Sequence, residues 1–405
     1  MSKQLKIFVL TVSVSIVVFT IVGGLRVKAA SNDGAYRQLG VFSEVLSRIR
    51  TEYVEEPNIP QVTDGALHGL LESLDANSSY LTAAEYKDYK AHKSDGKGTI
   101  GASVSKRFGY AAVISVIPGG PADKAGIDSG DIVEAIESKS TREMSLAEIE
   151  SALSGQVGSN VSISVVRARR VEPLKLTITR DNVKMPPVTD KMVENGIGYI
   201  KVETFTKGKA QELASKVKSV QSSGAKKIVL DLRDNSEGDE SEGIAAANLF
   251  LDHGTITYLE GQKYPRQNFT ADPQKKVTDV PLVVLVNKGT AGAAEILAGA
   301  LLENNRADIV GDKTFGVGSI QKVIDVPDGS ALILSVAKYY TPNGKAIQDT
   351  AITPNIVVAD NNDDFILPDE DENNPAEPEK KERTPQNDDQ LKRAIEVLQN
   401  QGKKA

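Results

Sequence analysis

The sequence predicts a multidomain α+β protein with a helical N-terminal region, a domain of short strands and an α/β core. Three changes of pattern along the 405 residues indicate this fold class. Apolar residues recur at helical spacing between Tyr36 and Tyr89. From about Lys97 to Arg180, short β-rich runs are separated by glycines. Between Val188 and Val358, continuous apolar runs alternate with helical stretches, which is typical of a parallel sheet covered by helices.

Residues 1–30 are predicted to be an export signal or a membrane anchor. Lys3 and Lys6 precede an apolar run over residues 7–25 that contains no charged residue. Such a run is long enough to span a bilayer, and residues 27–29 make a poor cleavage site. We therefore expect an uncleaved anchor in the inner membrane, with the rest of the chain periplasmic or otherwise extracytoplasmic. A cleaved signal is the alternative.

Residues 31–96 are predicted to be helical. Apolar residues share one face of each predicted helix; they are Leu39, Phe42, Val45, Leu46 and Ile49, and then Ala66, Leu67, Leu70 and Leu71. Pro57 and Pro60 divide this region in two, and a polar turn at residues 77–79 precedes a further short helix.

Residues 97–183 resemble a PDZ domain. Strands are predicted at residues 111–117, 132–136, 161–166 and 174–179, and a proline- and glycine-rich segment at 118–127 leads to Gly130-Asp131-Ile132-Val133.

This resemblance implies a groove that holds a peptide's C-terminal carboxylate. The loop would be Thr99, Ile100, Gly101 and Ala102, whose amides form an anion nest. A helix over residues 145–153 would wall the groove, with Leu146 and Ile149 as pocket residues. The alternative is a domain that only holds the fold together.

Residues 188–358 are predicted to form the α/β core. Strands are expected at residues 196–202, 228–232 and 281–286, with helices at 209–222, 241–251 and 293–302. The acidic tail, residues 359–405, is expected to be disordered over most of its length and to end in a short helix near residues 390–398 that docks back.

Several motifs along the chain resemble those of the C-terminal processing peptidases, also called tail-specific proteases. They lie at residues 74–81, 231–235, 289–297, 313–321 and 338–344. That family uses a Ser/Lys dyad after a PDZ domain has engaged a substrate's C-terminus. Its usual motifs are G-T-A-S-A-S-E-I and T-F-G-K-G-S-V-Q. The matching scaffold residues here are Gly289, Thr290, Ala291, Glu295, Phe315, Gly316, Gly318 and Gln321.

The two positions that carry the family's dyad hold Gly292 and Val317 in this sequence. Glycine has no side chain to attack a carbonyl, and valine cannot accept a proton. The retained Gln321 then has no lysine to assist. We therefore predict that no catalytic residue is intact and that catalysis is lost.

The loop that would stabilise the tetrahedral intermediate is also changed. Where the family usually has L-R-N-N-P-G-G, this chain has Ser236, Glu237 and Gly238 at the last three positions. A carboxylate beside a developing oxyanion would raise the barrier to reaction. A rearranged site that uses Ser319 with Lys313 or Lys322 is the alternative, and it would make the chain an active tail-specific serine-type endopeptidase.

Composition excludes several other classes of chemistry. The net charge of −7, with no basic cluster, argues against nucleic-acid binding. The chain has no cysteine and only three scattered histidines, so neither a disulfide nor a zinc site is expected. Asp231, Asp234 and Glu295 are interpreted as scaffold residues rather than metal ligands, and no cofactor is predicted.

The functional prediction is therefore an exported or anchored pseudopeptidase that binds protein C-terminal tails through its PDZ domain. Its partners would be such tails, the membrane, an active peptidase relative, or further copies of itself. It could serve as an adaptor, a decoy or a regulatory subunit. Besides the active endopeptidase, a structural envelope assembly protein is the remaining alternative.

Overall fold

The computed structural model describes residues 33–94, 98–107, 109–167, 173–359 and 387–401, and it divides into two compact units between Ala66 and Leu67. The predicted anchor at 7–25 and the acidic segment 360–386 lie outside the described residues. Within the described ranges, no helix combines the length and apolarity needed to cross a bilayer.

The first unit contains helix α1 (Asp33–Glu52) and the start of α2 (Ile59–Glu72). Arg48 forms ion pairs with Glu44 and Glu52, both at 2.8 Å, which link successive turns of α1. The apolar residues Leu39, Phe42 and Val45 of α1 remain exposed. These side chains, which belong to the apolar face that predicted the helix, are therefore not buried.

The second unit begins within α2, at Leu67, and continues into an antiparallel sheet. Its first elements are β1 (Ser79–Leu81), α3 (Ala83–Ser94), β2 (Gly98–Thr99), β3 (Ala102–Arg107), β4 (Tyr110–Val116), α4 (Pro121–Lys124), β5 (Ile132–Ile136), β6 (Lys139–Ser140), α5 (Leu146–Leu153), β7 (Ser154–Gly155), β8 (Asn160–Val166) and β9 (Leu174–Thr179). The sheet order is β3-β4-β5-β8-β9, with β6 beside β5, so β3 is an edge strand.

Helix α5 lies beside β3 and has a well-defined start. The Ser145 hydroxyl accepts from the Glu148 amide at 3.3 Å, and the Glu148 carboxylate accepts from the Ser145 amide at 2.7 Å. This capping box satisfies two amides that the first helical turn would otherwise leave unpaired.

The remaining elements form the α/β core. They are β10 (Thr189–Val193), β11 (Ile197–Lys201), β12 (Thr204–Phe205), α6 (Lys209–Ser222), β13 (Lys227–Asp231), β14 (Glu237–Gly238), α7 (Glu240–Asn248), β15 (Thr255–Glu260), β16 (Gln267–Thr270), β17 (Leu282–Val286), α8 (Ala293–Glu303), β18 (Asp308–Gly311), β19 (Ser319–Asp325), β20 (Ala331–Tyr340), β21 (Ile356–Val357) and α9 (Asp389–Gln401).

The central sheet has the order β10-β11-β13-β17-β18-β21, and only β10 is antiparallel to its neighbour. Alternate residues of β13 and β17 enter different cores. Ile228 and Leu230 pack in the cluster that includes α6, α7 and α8, whereas Val229 packs in the cluster that includes α9. Because both faces of the sheet are buried, these strands are apolar at every position.

Helix α9 is held by a buried charge network as well as by its apolar face. The Arg233 guanidinium donates to Asp231 at 2.6 Å and to Asp388, which precedes α9, at 2.8 Å. Burial by itself would raise the pKa of Asp231, but Arg233 lowers it well below its usual range. This network attaches the end of the chain to the core.

A second antiparallel sheet has the order β1-β20-β15-β16, and β19 pairs with β20. Its strand β1 lies where the sequence indicated a polar turn followed by a helix. Ser79, Tyr80 and Leu81 pair with residues of β20 that are more than 200 positions away in the chain. A three-residue strand gives no local signal, and its pairing partner determines its conformation.

Candidate functional site

A cleft of about 450 Å³ separates the antiparallel sheet from the turns of the α/β core. One side, here called the strand wall, consists of Thr99, Ala102, Ser103, Leu146, Glu150 and Leu153. The opposite side, the turn wall, consists of Ser236, Glu237, Glu240, Ala291, Val317, Ser319 and Gln321. The cleft therefore brings together the predicted peptide groove and the predicted catalytic region.

Gly292 lies at the sharp turn between β17 and α8. Its backbone angles, φ +60° and ψ −120°, belong to a region that residues with a side chain rarely adopt. The turn is held by the Thr290 hydroxyl, which donates to the Leu232 carbonyl at 2.9 Å, and by the Ala291 amide, which donates to the Asn235 carbonyl at 2.8 Å. A Cβ added at Gly292 would meet no heavy atom within 4 Å. The turn therefore has room for a side chain but carries none.

The buried carboxylate of Glu295 joins Gly292 to Val317. One oxygen, Oε2, accepts from the Gly292 amide at 3.1 Å and from the Val317 amide at 2.8 Å. Since both bonds meet at one atom, the two amide nitrogens lie within about 6 Å of each other. The fold thus brings together the two positions that sequence comparison assigned to the dyad.

Glu295 is fully buried, and its other oxygen accepts from the Gly316 amide and from the Thr314 hydroxyl. Burial raises the pKa of Glu295 to about 7, although the four donors partly oppose that rise. The carboxyl group is therefore surrounded on all sides by donors of the two turns, and it has no free side towards the cleft.

The predicted oxyanion loop lies on the turn wall beside Gly292. The Asn287 side chain fixes Asp234, because it accepts from the Asp234 amide at 2.9 Å and donates to the Asp234 carboxylate at 2.8 Å. Gly238 points away from the cleft against β12, and a Cβ there would come within 2.2 Å of the Phe205 backbone. Only glycine fits at that position.

Ser236 and Glu237 connect this loop to the strand wall. The Ser236 and Ser115 hydroxyls are 2.5 Å apart, and the Glu237 carboxylate accepts a hydrogen bond from the Ser103 hydroxyl. Glu237 therefore stands in the cleft, in the position where the sequence motif of the family would have a glycine.

Ser319 is a buried hydroxyl in a network of amide side chains. It accepts from Asn77 at 3.0 Å and from Gln321 at 2.9 Å, and it donates to the Gln348 carbonyl oxygen at 3.2 Å. An amide oxygen cannot serve as a general base. Lys313 and Lys322 are both exposed, and Lys338, which is paired across the sheet with Ser319, lies 3.6 Å from Asp349. The geometry therefore disfavours Ser319 as a nucleophile.

The strand wall contains some of the predicted peptide-binding residues. Thr99, Ala102 and Leu146 line the cleft, whereas Ile100 and Ile149 are 1% and 0% exposed in the core of the antiparallel sheet. Gly101 has φ +75°, and its amide donates to the Thr99 hydroxyl at 3.2 Å. The Thr99 amide donates to the Asp181 carbonyl at 2.9 Å.

Glu150 is a cleft residue that sequence reasoning missed. It follows the buried Ile149 and shares a face of α5 with Leu146 and Leu153, so helical periodicity could have placed it there. Its side chain is open to solvent within the cleft, but the surrounding protein and the nearby Glu237 raise its pKa to about 7.

The cleft is acidic. Glu150, Glu237 and Glu240 line it, whereas no lysine, arginine or histidine does so among the residues described. Burial also raises the pKa of Glu240. Among the residues that the structure describes, no group of three or more histidines and carboxylates is placed to hold a metal ion. The described side chains of the cleft thus provide hydroxyls and carboxylates, but no lysine or histidine that could serve as the base of a dyad.

Known proteins resemble this chain in both sequence and structure. The family model described as peptidase family S41 matches residues 196–358, and that of the PDZ domain matches residues 113–167. The carboxy-terminal-processing protease of Bartonella bacilliformis is 35% identical over 336 residues, which cover 81% of this chain and 76% of that protein.

Two further processing proteases are similar to this chain. The carboxy-terminal processing protease CtpA of Bacillus subtilis is 33% identical over 366 residues, covering 88% of this chain and 78% of that protein. The solved photosystem II D1 C-terminal processing protease has a TM-score of 0.65 at 26% identity, covering 78% of this chain and 92% of that one. The chain therefore belongs to the carboxy-terminal processing protease family of S41 serine peptidases, and it carries a PDZ domain.

Proposed function

We propose that this chain is an exported or membrane-anchored member of the family that has lost catalysis and binds protein C-terminal tails through its PDZ domain. One observation carries the loss of catalysis. The amides of Gly292 and Val317 meet at one oxygen of Glu295, so the two dyad positions are adjacent, yet neither has a side chain that can attack or accept a proton.

The surroundings of the site support the same proposal. A serine peptidase needs donors aimed at the developing oxyanion, whereas Glu237 places a carboxylate in this cleft. The other candidate hydroxyl, that of Ser319, donates to an amide oxygen. These contacts argue against the alternative of a rearranged endopeptidase.

Tail binding is supported by an open strand edge. β3 is paired only with β4 in its sheet, and its other edge faces α5 and the cleft. A peptide can add to such an edge as a further strand. Residues 97–183 are the proposed PDZ domain and 188–358 the proposed peptidase-like core; limited proteolysis should release fragments with these ends.

Location and partners rest on features of the N-terminal third. The uncharged run over residues 7–25 motivates an inner-membrane anchor and an extracytoplasmic chain, and proteolysis of intact spheroplasts would test it.

The exposed apolar side chains of α1 motivate association with further copies or with an active relative. Light scattering on the full chain beside Phe42→Asp would show whether this face holds copies together.

The decisive experiment measures proteolysis of an unfolded protein by the purified full chain. Five proteins are compared: the natural chain, Ser319→Ala, Gly292→Ser, Gly292→Ser/Val317→Lys, and that double variant with Ser236→Pro/Glu237→Gly added. We expect no cleavage by the natural chain and at least a hundredfold gain in one of the two restored variants.

The Gly292→Ser single variant is the matched control, because it supplies a nucleophile without a base. Cleavage by the natural chain that survives repurification and disappears with Ser319→Ala would overturn the proposal in favour of the rearranged endopeptidase. Absence of cleavage and of tail binding together would instead favour the structural assembly role.

A further inference from the structure

We propose that the cleft selects polypeptide segments carrying a lysine or arginine, whose side chain binds between Glu150, Glu237 and Glu240. This inference rests on the proposed tail-binding function and names the class of ligand. Glu237 stands where the family's usual loop has a glycine, and Glu150 lies across the cleft on α5, so the inference does not follow from the family resemblance.

The position of the three glutamates defines the site. Glu150 comes from α5 on the strand wall, Glu237 from the loop after β13, and Glu240 from the first turn of α7. They belong to elements of two different domains that enclose the same space. A polypeptide added to the edge of β3 would run along this space and direct alternate side chains into it.

The carboxyl groups in the cleft have no cationic partner among the residues described. Among the residues described, no ion pair joins a lysine, arginine or histidine to Glu150, Glu237 or Glu240. Besides burial, repulsion by the nearby Glu237 raises the pKa of Glu150. A cation between the two carboxylates would replace this repulsion with attraction.

The polar groups around the glutamates suit an ammonium or a guanidinium. Ser103, Ser236 and Gln321 also line the cleft, and each has a side-chain oxygen that can accept hydrogen bonds. An apolar side chain would leave these carboxylates desolvated without a partner. An acidic side chain would add a further negative charge, so we expect it to be excluded.

The test uses the full chain and ten-residue fluorescent peptides with free C-termini. A neutral alanine- and serine-based peptide is varied by placing lysine, glutamine or glutamate at each position in turn, and the dissociation constant is measured by anisotropy. At one or more positions, we expect lysine to bind about tenfold more tightly than glutamine, with glutamate weakest. The preference should shrink as salt is added.

Variants assign the preference to the cleft. Glu150→Gln and Glu237→Gln should each remove most of the lysine preference while the glutamine peptide still binds. Glu148→Gln is the matched control, because Glu148 lies on the same helix but pairs with Lys139 at 3.1 Å outside the cleft. Glutamine also retains the helix cap at that position.

Three outcomes overturn the inference, and they are distinguishable from one another. Equal binding of the lysine and glutamine peptides would refute the cationic preference but leave tail binding in place. A lysine preference that survives Glu150→Gln and Glu237→Gln would place the cation elsewhere. If no peptide binds, both this inference and the proposed tail binding are wrong.

Discussion

The two walls of the cleft are held in different ways. Behind the turn wall, buried side chains bind the backbone of its turns. Glu295 accepts hydrogen bonds from three backbone amides and one hydroxyl, and Asn287 fixes Asp234. In the strand wall, β3 presents an open edge, and Ser103 and Glu150 keep contact with solvent. One wall is a rigid scaffold, and the other is an accessible surface.

This difference separates the requirements of catalysis from those of binding. Gly292 has unusual backbone angles beside the turn wall, and neither it nor Val317 carries a side chain that can attack or accept a proton. Strand addition on the strand wall uses mainly backbone groups, which substitutions of side chains leave in place. In the function we propose, binding therefore outlasts chemistry on the same scaffold.

The largest expected effect compares two glycines of the turn wall region. Gly238→Ala should lower the free energy of unfolding by about 4 kcal/mol, because its Cβ would overlap the Phe205 backbone and its φ is +134°. Gly292→Ala should cost about 2 kcal/mol, since only backbone strain opposes it. Urea unfolding of both variants measures the difference. An equal decrease in the free energy of unfolding for both variants would show that the turn at Gly292 has no room for a side chain.

A second effect concerns Glu295 and has a defined pH dependence. Its folded pKa of about 7 lies above the usual value, so its contribution to stability is complete below the unfolded pKa and is lost as pH rises through 7. Glu295→Gln removes an acceptor from at least one buried amide, which should cost about 2 kcal/mol at pH 5.

The difference in the free energy of unfolding between Glu295→Gln and the natural chain should become smaller by pH 8, because only the natural chain then has a buried charge. Urea unfolding at pH 5 and pH 8 checks this, with the exposed Glu143→Gln as a control that should show no such change. A difference that increases towards pH 8 would mean that the four donors stabilise the charged carboxylate.

The smallest effect sharpens the description of the strand wall. The pKa of Glu150 is raised to about 7, so this group is largely neutral at pH 6 and charged at pH 8. Binding of a lysine peptide should therefore tighten about threefold to tenfold between these values, and the dependence should disappear in Glu150→Gln. Anisotropy titrations at pH 6, 7 and 8 measure it. Binding that weakens as pH rises would contradict this assignment.

Local patterns predicted much of the fold. The helix at Lys209–Ser222 and the strands at Ile132–Ile136 and Leu174–Thr179 have the bounds that periodicity indicated. The apolar runs at residues 228–232 and 281–286 are the buried strands β13 and β17. These elements are predictable because each buries a continuous or periodic set of apolar side chains.

The second antiparallel sheet was not predictable in this way. Strands β15, β16, β19 and β20 carry mixed polar and apolar residues, and the sheet is completed only when β20 pairs with β15 and β1, which are far from it in the chain. Likewise, Ser319 seemed available from its place near the dyad motif, but its contacts with Asn77 and Gln348 arise only when distant loops meet.

By itself, the sequence determined the family, the order of the domains and the absence of a serine and a lysine at positions 292 and 317, because residue identity and local periodicity are properties of the chain. Only the tertiary structure decided that these two positions share one oxygen of Glu295, and that Glu150 and Glu237 line the same cleft. Glu150 and Glu237 are 87 positions apart in sequence, and only the packing of one domain against the other places their like charges close enough to interact.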